Sequence, residues 1–140
     1  MNHARQRLLW VAGVYLLLAA AGTWLAVQEQ LPAGFLGILN GHDPWKDFPL
    51  QGTALSAPLS MLILHAVLMF FLARGSYARA CATGLALLGC LFTAGQIGEP
   101  VLLFGRAFLP VFHPEVAFIA IANVLCPPAM IVLGLQARRS

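Results

Sequence analysis

The sequence predicts an all-α integral membrane protein: a bundle of four transmembrane helices with short interfacial helices in the outer loops. Three observations predict it. The 140 residues are 60% hydrophobic and only 9% charged, whereas a soluble domain carries about 25% charge. So few charges cannot cover a water-facing surface of this size. Four apolar runs, about 8–27, 53–72, 81–97 and 115–135, each approach the roughly 20 residues that a helix needs to cross a bilayer core. The basic residues, finally, sit at the ends of those runs and mostly on one side. The whole chain, 1–140, reads as a single transmembrane domain without repeat or linker.

The first run follows a short basic start, MNHARQR, and carries Trp10 and Trp24 near opposite ends, where interfacial rings belong. A cleaved signal peptide is the competing reading of this start, with Ala19-Ala20-Ala21 as the cleavage site. The loop from Gln28 to Gly52 is the longest. Its Leu31, Phe35, Leu36, Ile38 and Leu39 suggest an interfacial helix capped by Asn40-Gly41. After it comes GHDPWKDFP, which gathers His42, Asp43, Lys46 and Asp47 around Trp45 and Phe48. That stretch reads either as a headgroup-level loop anchored by its aromatics or as a lid lending His42 or Asp43 to a site beneath.

The second run places Pro58 in its first two turns and His65 near mid-membrane. A basic turn, ARGSYARA, leads to the third run, which ends in GQIGEP. Spacing puts Gly89, Phe92, Thr93, Gln96 and Glu99 on one stripe of that helix. Lipid cannot hydrogen-bond such a stripe, so it is expected to face other helices or a wet cavity. The fourth run holds Asn123 and the pair Pro127-Pro128, which removes two helix donors. Arg5, Arg7, Arg74, Arg79, Arg138 and Arg139 all flank one side, against Lys46 and Arg106 on the other. The positive-inside rule then places both termini in the cytoplasm, with the membrane being the cytoplasmic one if the source is bacterial.

On that topology Thr23, Gln96 and Asn123 lie in the outer halves of their helices, Glu99 at the rim and His65 deeper. The leading functional reading is an enzyme or binding protein for an apolar, lipid- or isoprenoid-like small molecule. Glu99 would donate a proton, with His65 or Asp43 as the second acid–base group. Gln96, Asn123, Thr23, His42 and Trp45 would hold the substrate. Isomerisation, cyclisation or epoxide hydrolysis fits, and none needs a cofactor. The bland readings stand beside it: Glu99 ends a helix in the headgroups, Gln96 and Asn123 glue helices together, and His65 is a packing residue. The rival function is a structural or assembly subunit binding another membrane protein or a further copy of itself; a small transporter comes third.

Other classes are disfavoured by what the residues do not supply. The net charge of +3 resides at helix ends, which suits lipid headgroups rather than nucleic acid. No ligand spacing supports a metal among His42, Asp43 and His65. Cys81 and Cys90 are roughly 13 Å apart along one helix, too far for a disulfide, and there is no CxxC pair. The first run lacks the central acid expected of a small four-helix multidrug exporter. The layout is similar to four-helix membrane proteins related to the emopamil-binding sterol isomerases. The likeness rests on span count, Trp45 and Lys46 before the second run, and Pro127-Pro128 in the last. It implies a cavity for a lipid-like ligand in the outer half. The paired acids expected on the second span of that group are absent, and no residue is carried over.

Overall fold

The computed structural model describes residues 3–30, 34–35, 39–40, 43–53, 55–98 and 114–139. Helix α1 spans His3–Gln28, the single-turn α2 Pro44–Asp47, α3 Leu59–Arg74, α4 Ala78–Gly98 and α5 Pro114–Arg139. Among the described residues the protein is all-α apart from a two-residue antiparallel pairing of β1 (Gly34–Phe35) with β2 (Leu39–Asn40). The described part of the expected interfacial helix is therefore extended, because Gly34 pairs with Asn40 and Phe35 with Leu39 instead of coiling. Three helices, α1, α4 and α5, are long and apolar enough to cross a membrane. Helix α3 is apolar but has only 16 residues.

The four longer helices close a ring. Helix α1 packs against α3 and α5, and α4 against the same two. The residues that α1 buries are Leu8, Ala12, Tyr15, Ala19, Gly22 and Ala26, alternating steps of four and three. That is the spacing of a coiled-coil seam, and it is filled mostly by small side chains. Helix α1 has apolar residues all round, so this seam is set by side-chain size and not by polarity.

Helices α4 and α5 meet backbone to side chain at two glycines. A Cβ on Gly134 would lie 2.8 Å from the Ala82 carbonyl oxygen, and one on Gly89 would lie 2.8 Å from that of Pro127. Both prolines lie inside α5, which runs through them without a break.

The second helix starts later than its apolar run suggests. Thr53 and Ser56 exchange backbone hydrogen bonds of 2.9 and 3.2 Å and so close a tight turn. Leu55, at its tip, is 1% exposed. Pro58 sits at the N-cap of α3 rather than within its first turns, and its carbonyl accepts from Met61 and Leu62. Proline has no N–H to donate, so the helix begins just after it at no cost in hydrogen bonds. At the other end Gly75 caps α3 with φ +84°, its N–H donating to the Leu72 carbonyl. The Arg5 guanidinium from α1 donates to the same carbonyl, placing a cation at the negative end of α3. This contact puts the start of α1 beside the end of α3, and the Gly134–Ala82 approach puts the end of α5 beside the start of α4. The described arginines at these helix ends thus share one end of the ring.

Candidate functional site

The stripe on α4 faces inward, as its spacing predicts. Gly89, Phe92 and Gln96 are buried, and Thr93 is partly so, its hydroxyl donating to the Gly89 carbonyl at 2.7 Å. Phe92 stacks on Tyr15 of α1 with ring centroids 4.8 Å apart, and both rings stack on His65 of α3, at 5.9 and 5.7 Å. His65 is fully buried. Its Nε2 lies 3.1 Å from the Ala12 carbonyl. A carbonyl only accepts, so Nε2 carries a proton, and in the neutral ring Nδ1 is left as a bare acceptor. That Nδ1 has no partner among the described residues. The geometry is that of a packed imidazole tying α3 to α1, three rings deep, and not of a group facing an open site.

Asn123 is 1% exposed, and its Nδ2 donates 2.8 Å to the carbonyl of Leu55. The same carbonyl lies 2.5 Å from where a Gly22 Cβ would stand. The Thr53–Ser56 turn is thus clamped between α1 and α5, and Asn123 supplies a donor to the Leu55 carbonyl buried there. Asn123 Oδ1 is buried without a partner among the described residues. Gly89 lies against Pro127 and Ile131, and Gly134 against Ala82 and Ala86. Carried outward along both helices, this antiparallel register sets Gln96 level with Asn123. Phe92, and with it the His65 stack, is one helical turn deeper.

The remaining expected site residues are spread more widely. The Thr23 hydroxyl donates to the Ala19 carbonyl of its own helix at 2.9 Å. Asp43 caps α2, accepting from the backbone of Trp45 at 3.1 Å and Lys46 at 3.4 Å, and its carboxylate pairs with the Lys46 ammonium at 3.2 Å. The Lys46 side chain donating to that carboxylate holds Asp43 below the usual carboxylate range. Trp45 is exposed. Glu99 and His42 lie outside the described residues. The structure therefore brings Gln96, Asn123 and His65 into neighbouring layers of one interior, and leaves Thr23 and Asp43 satisfied locally. Among the described residues no cluster of three metal-ligating side chains forms.

Open space lies elsewhere. A groove of about 500 Å³ runs along the outer flank of α1, its described lining being Gln6, Leu9, Trp10, Gly13, Val14, Leu16 and Leu17. It is overwhelmingly apolar and sits in the arginine-bearing half of α1, away from Gln96 and Asn123. Gly13 makes the depression: a Cβ there would meet only the Met69 Cε, at 3.5 Å. Reading the sequence for polar residues passes over this site, because its signal is one glycine between large apolar neighbours. Leu55, Gly22 and Arg5 are missed for a related reason: what makes them matter is a backbone carbonyl brought in from elsewhere.

No family model, curated protein or solved structure matches the chain. The described residues define the class: all-α, with three helices among them long and apolar enough to span a membrane.

Proposed function

We propose that this is an integral membrane protein of four spans that holds an apolar, lipid-like molecule in the groove along α1. The observation that carries the reading is that groove: about 500 Å³ of apolar space on a helix whose opposite seam is closely packed. Sites for small apolar ligands have this size and character. The fourth span is α3. Its 16 residues reach about 24 Å of a roughly 30 Å core. The buried Thr53–Ser56 turn makes up the difference, and non-helical backbone is tolerated at membrane depth when protein surrounds it. The six arginines favour cytoplasmic termini. A reporter fused after residue 140 is expected to read cytoplasmic, and a periplasmic signal there would reverse the topology.

The test of binding is lipid and metabolite extraction from the purified protein followed by mass spectrometry. A molecule retained through detergent exchange, and lost in Gly13→Leu, supports the reading. A membrane protein co-purifying in place of any small molecule favours an assembly subunit.

A second, catalytic reading, at a place separate from the groove, is favoured by one observation, the buried Asn123 Oδ1 level with Gln96. There the two amides would orient a substrate oxygen and Glu99 would supply the proton, without a cofactor. Glu99→Gln keeps the shape and removes the acid. Turnover is expected to vanish in a correctly inserted variant, and full turnover would end the acid–base proposal.

A further inference from the structure

The six arginines face an unusual electrostatic situation. Arg5, Arg7, Arg74, Arg79, Arg138 and Arg139 belong to the helix ends that meet at one end of the ring. The sequence holds five acids, Glu29, Asp43, Asp47, Glu99 and Glu115, and none of them falls in the segments 3–9, 70–82 or 134–139 that build this end. Among the described residues no acidic side chain lies in these segments to neutralise it. Arg5 is committed to the Leu72 carbonyl, and Arg74 lies 4.3 Å over the ring of Phe70. Arg7 is exposed and is not so engaged among the described residues.

The groove begins at this same end. Arg7, Trp10, Val14 and Leu17 follow one another by three, four and three residues and so form one stripe of α1. Gln6 and Trp10 are already part of the groove. From Gln6 to Leu17 the helix rises about 16 Å, roughly half of a 30 Å hydrocarbon core and so the depth of one leaflet. The space is one leaflet deep, apolar along its length and open at its side, and Arg7, next in sequence to the groove residue Gln6, pairs with no carboxylate among the described residues.

We infer that the groove along α1 is a site for a single anionic phospholipid of the arginine-side leaflet, its acyl chain lying over Gly13 and its phosphate on Arg7 and Gln6. This rests on the lipid-binding reading above and names the ligand class. Gln6 adds a neutral hydrogen-bond donor beside the guanidinium, which a phosphate can use in full and a bare acyl chain cannot. The exposed Trp10 ring forms the groove's wall at the level where indoles border headgroups.

Trp10 also provides the readout. The protein carrying Trp24→Phe and Trp45→Phe retains it as the sole tryptophan. It is placed in phosphatidylcholine vesicles, and Trp10 quenching is titrated with brominated phosphatidylglycerol and, separately, brominated phosphatidylcholine. The brominated anionic lipid is expected to bind about fivefold more tightly, the factor one arginine near an anionic surface contributes. Arg7→Gln is expected to bring the ratio close to one, and Gly13→Leu, which fills the groove, to do the same with Arg7 intact. Equal quenching by both lipids in the parent protein overturns the anionic preference while leaving the lipid-binding reading standing. A preference that survives Gly13→Leu also overturns the proposal, because it then belongs to the charged surface at large. If neither lipid quenches Trp10, something else covers the face, and both this inference and the lipid-binding reading fall.

Discussion

Two parts of this bundle use glycine for opposite purposes. On the α4–α5 seam, Gly89 and Gly134 are small because a neighbouring backbone occupies the position of their side chains, within 2.8 Å of the missing Cβ. On the outer flank of α1, a Cβ on Gly13 would meet only the end of a flexible methionine, at the ordinary contact distance of 3.5 Å. The first kind closes space, and the second leaves it open. Between lipid-facing helices there is little hydrophobic gain from association, so close van der Waals approach carries the seam. A groove, by contrast, is a place where the protein has declined such contact. Glycine in an apolar helix therefore does not by itself say whether a face is an interface or a site.

Substitution at these glycines is expected to break the comparison open most visibly. Gly134→Leu or Gly89→Leu forces the seam apart and is expected to destabilise the fold by about 1–3 kcal/mol, the usual cost of overpacking. Gly13→Ala is expected to change stability by less than about 0.5 kcal/mol, as at sites without tight neighbours. Reversible unfolding in mixed micelles reads both. Equal losses at Gly13 and Gly134 would mean that the α1 flank is packed as tightly as the seam.

The aromatic layer between these two regions gives a second contrast of comparable size. His65→Ala empties a fully buried position and is expected to cost about 2–5 kcal/mol, as for other large core side chains. His65→Phe retains the stack on Tyr15 and Phe92 and removes both the tie to Ala12 and the unpartnered Nδ1. It is expected to fall within about 1.5 kcal/mol of the parent. Loss of all ligand binding in a stable His65→Phe protein would instead return the imidazole to the functional site.

The smallest expected effect is at α2, which lies outside both regions. The Asp43 carboxylate titrates lower in the folded protein because Lys46 donates to it. The sign follows from linkage: its contribution is fully present above the ordinary aspartate range and is lost as pH falls through the lowered folded value. Between pH 5 and 8 the α2 turn is expected to be indifferent to pH, and Asp43→Ala to loosen that turn alone. Trp45 emission reports the turn. A change in the stability of the whole bundle on Asp43→Ala would show that α2 is wedded to the ring.

The candidate site was legible in unequal parts. The inward stripe on α4 was readable because helical spacing converts directly into a face, and Gly89, Phe92 and Gln96 are buried as that spacing requires. The depth order, with Gln96 and Asn123 above His65, followed from counting residues along helices. The jobs of Asp43 and Thr23 were not readable as site roles, since each is satisfied within a few residues of itself. Neither was the start of α3: an apolar run looks the same whether it coils or folds into a buried turn. Thr53–Ser56 turns because a carbonyl-binding asparagine and a glycine from two other helices receive it.

The sequence by itself determined the class of this protein. Composition and run length are sums over residues, and a membrane crossing needs only enough apolar length and few enough charges. The segregation of arginines from acids was likewise written along the chain. Tertiary structure alone decided which apolar surface is packed and which is open. Helix α1 is apolar on every side, so only the shapes presented by α3, α4 and α5 select Leu8–Ala12–Tyr15–Ala19–Gly22–Ala26 for the seam and leave Trp10, Val14 and Leu17 outside. Hydropathy reports whether a residue prefers lipid to water. Between lipid and another helix, two equally apolar neighbours, the choice is made by fit, and fit exists only once the helices have met.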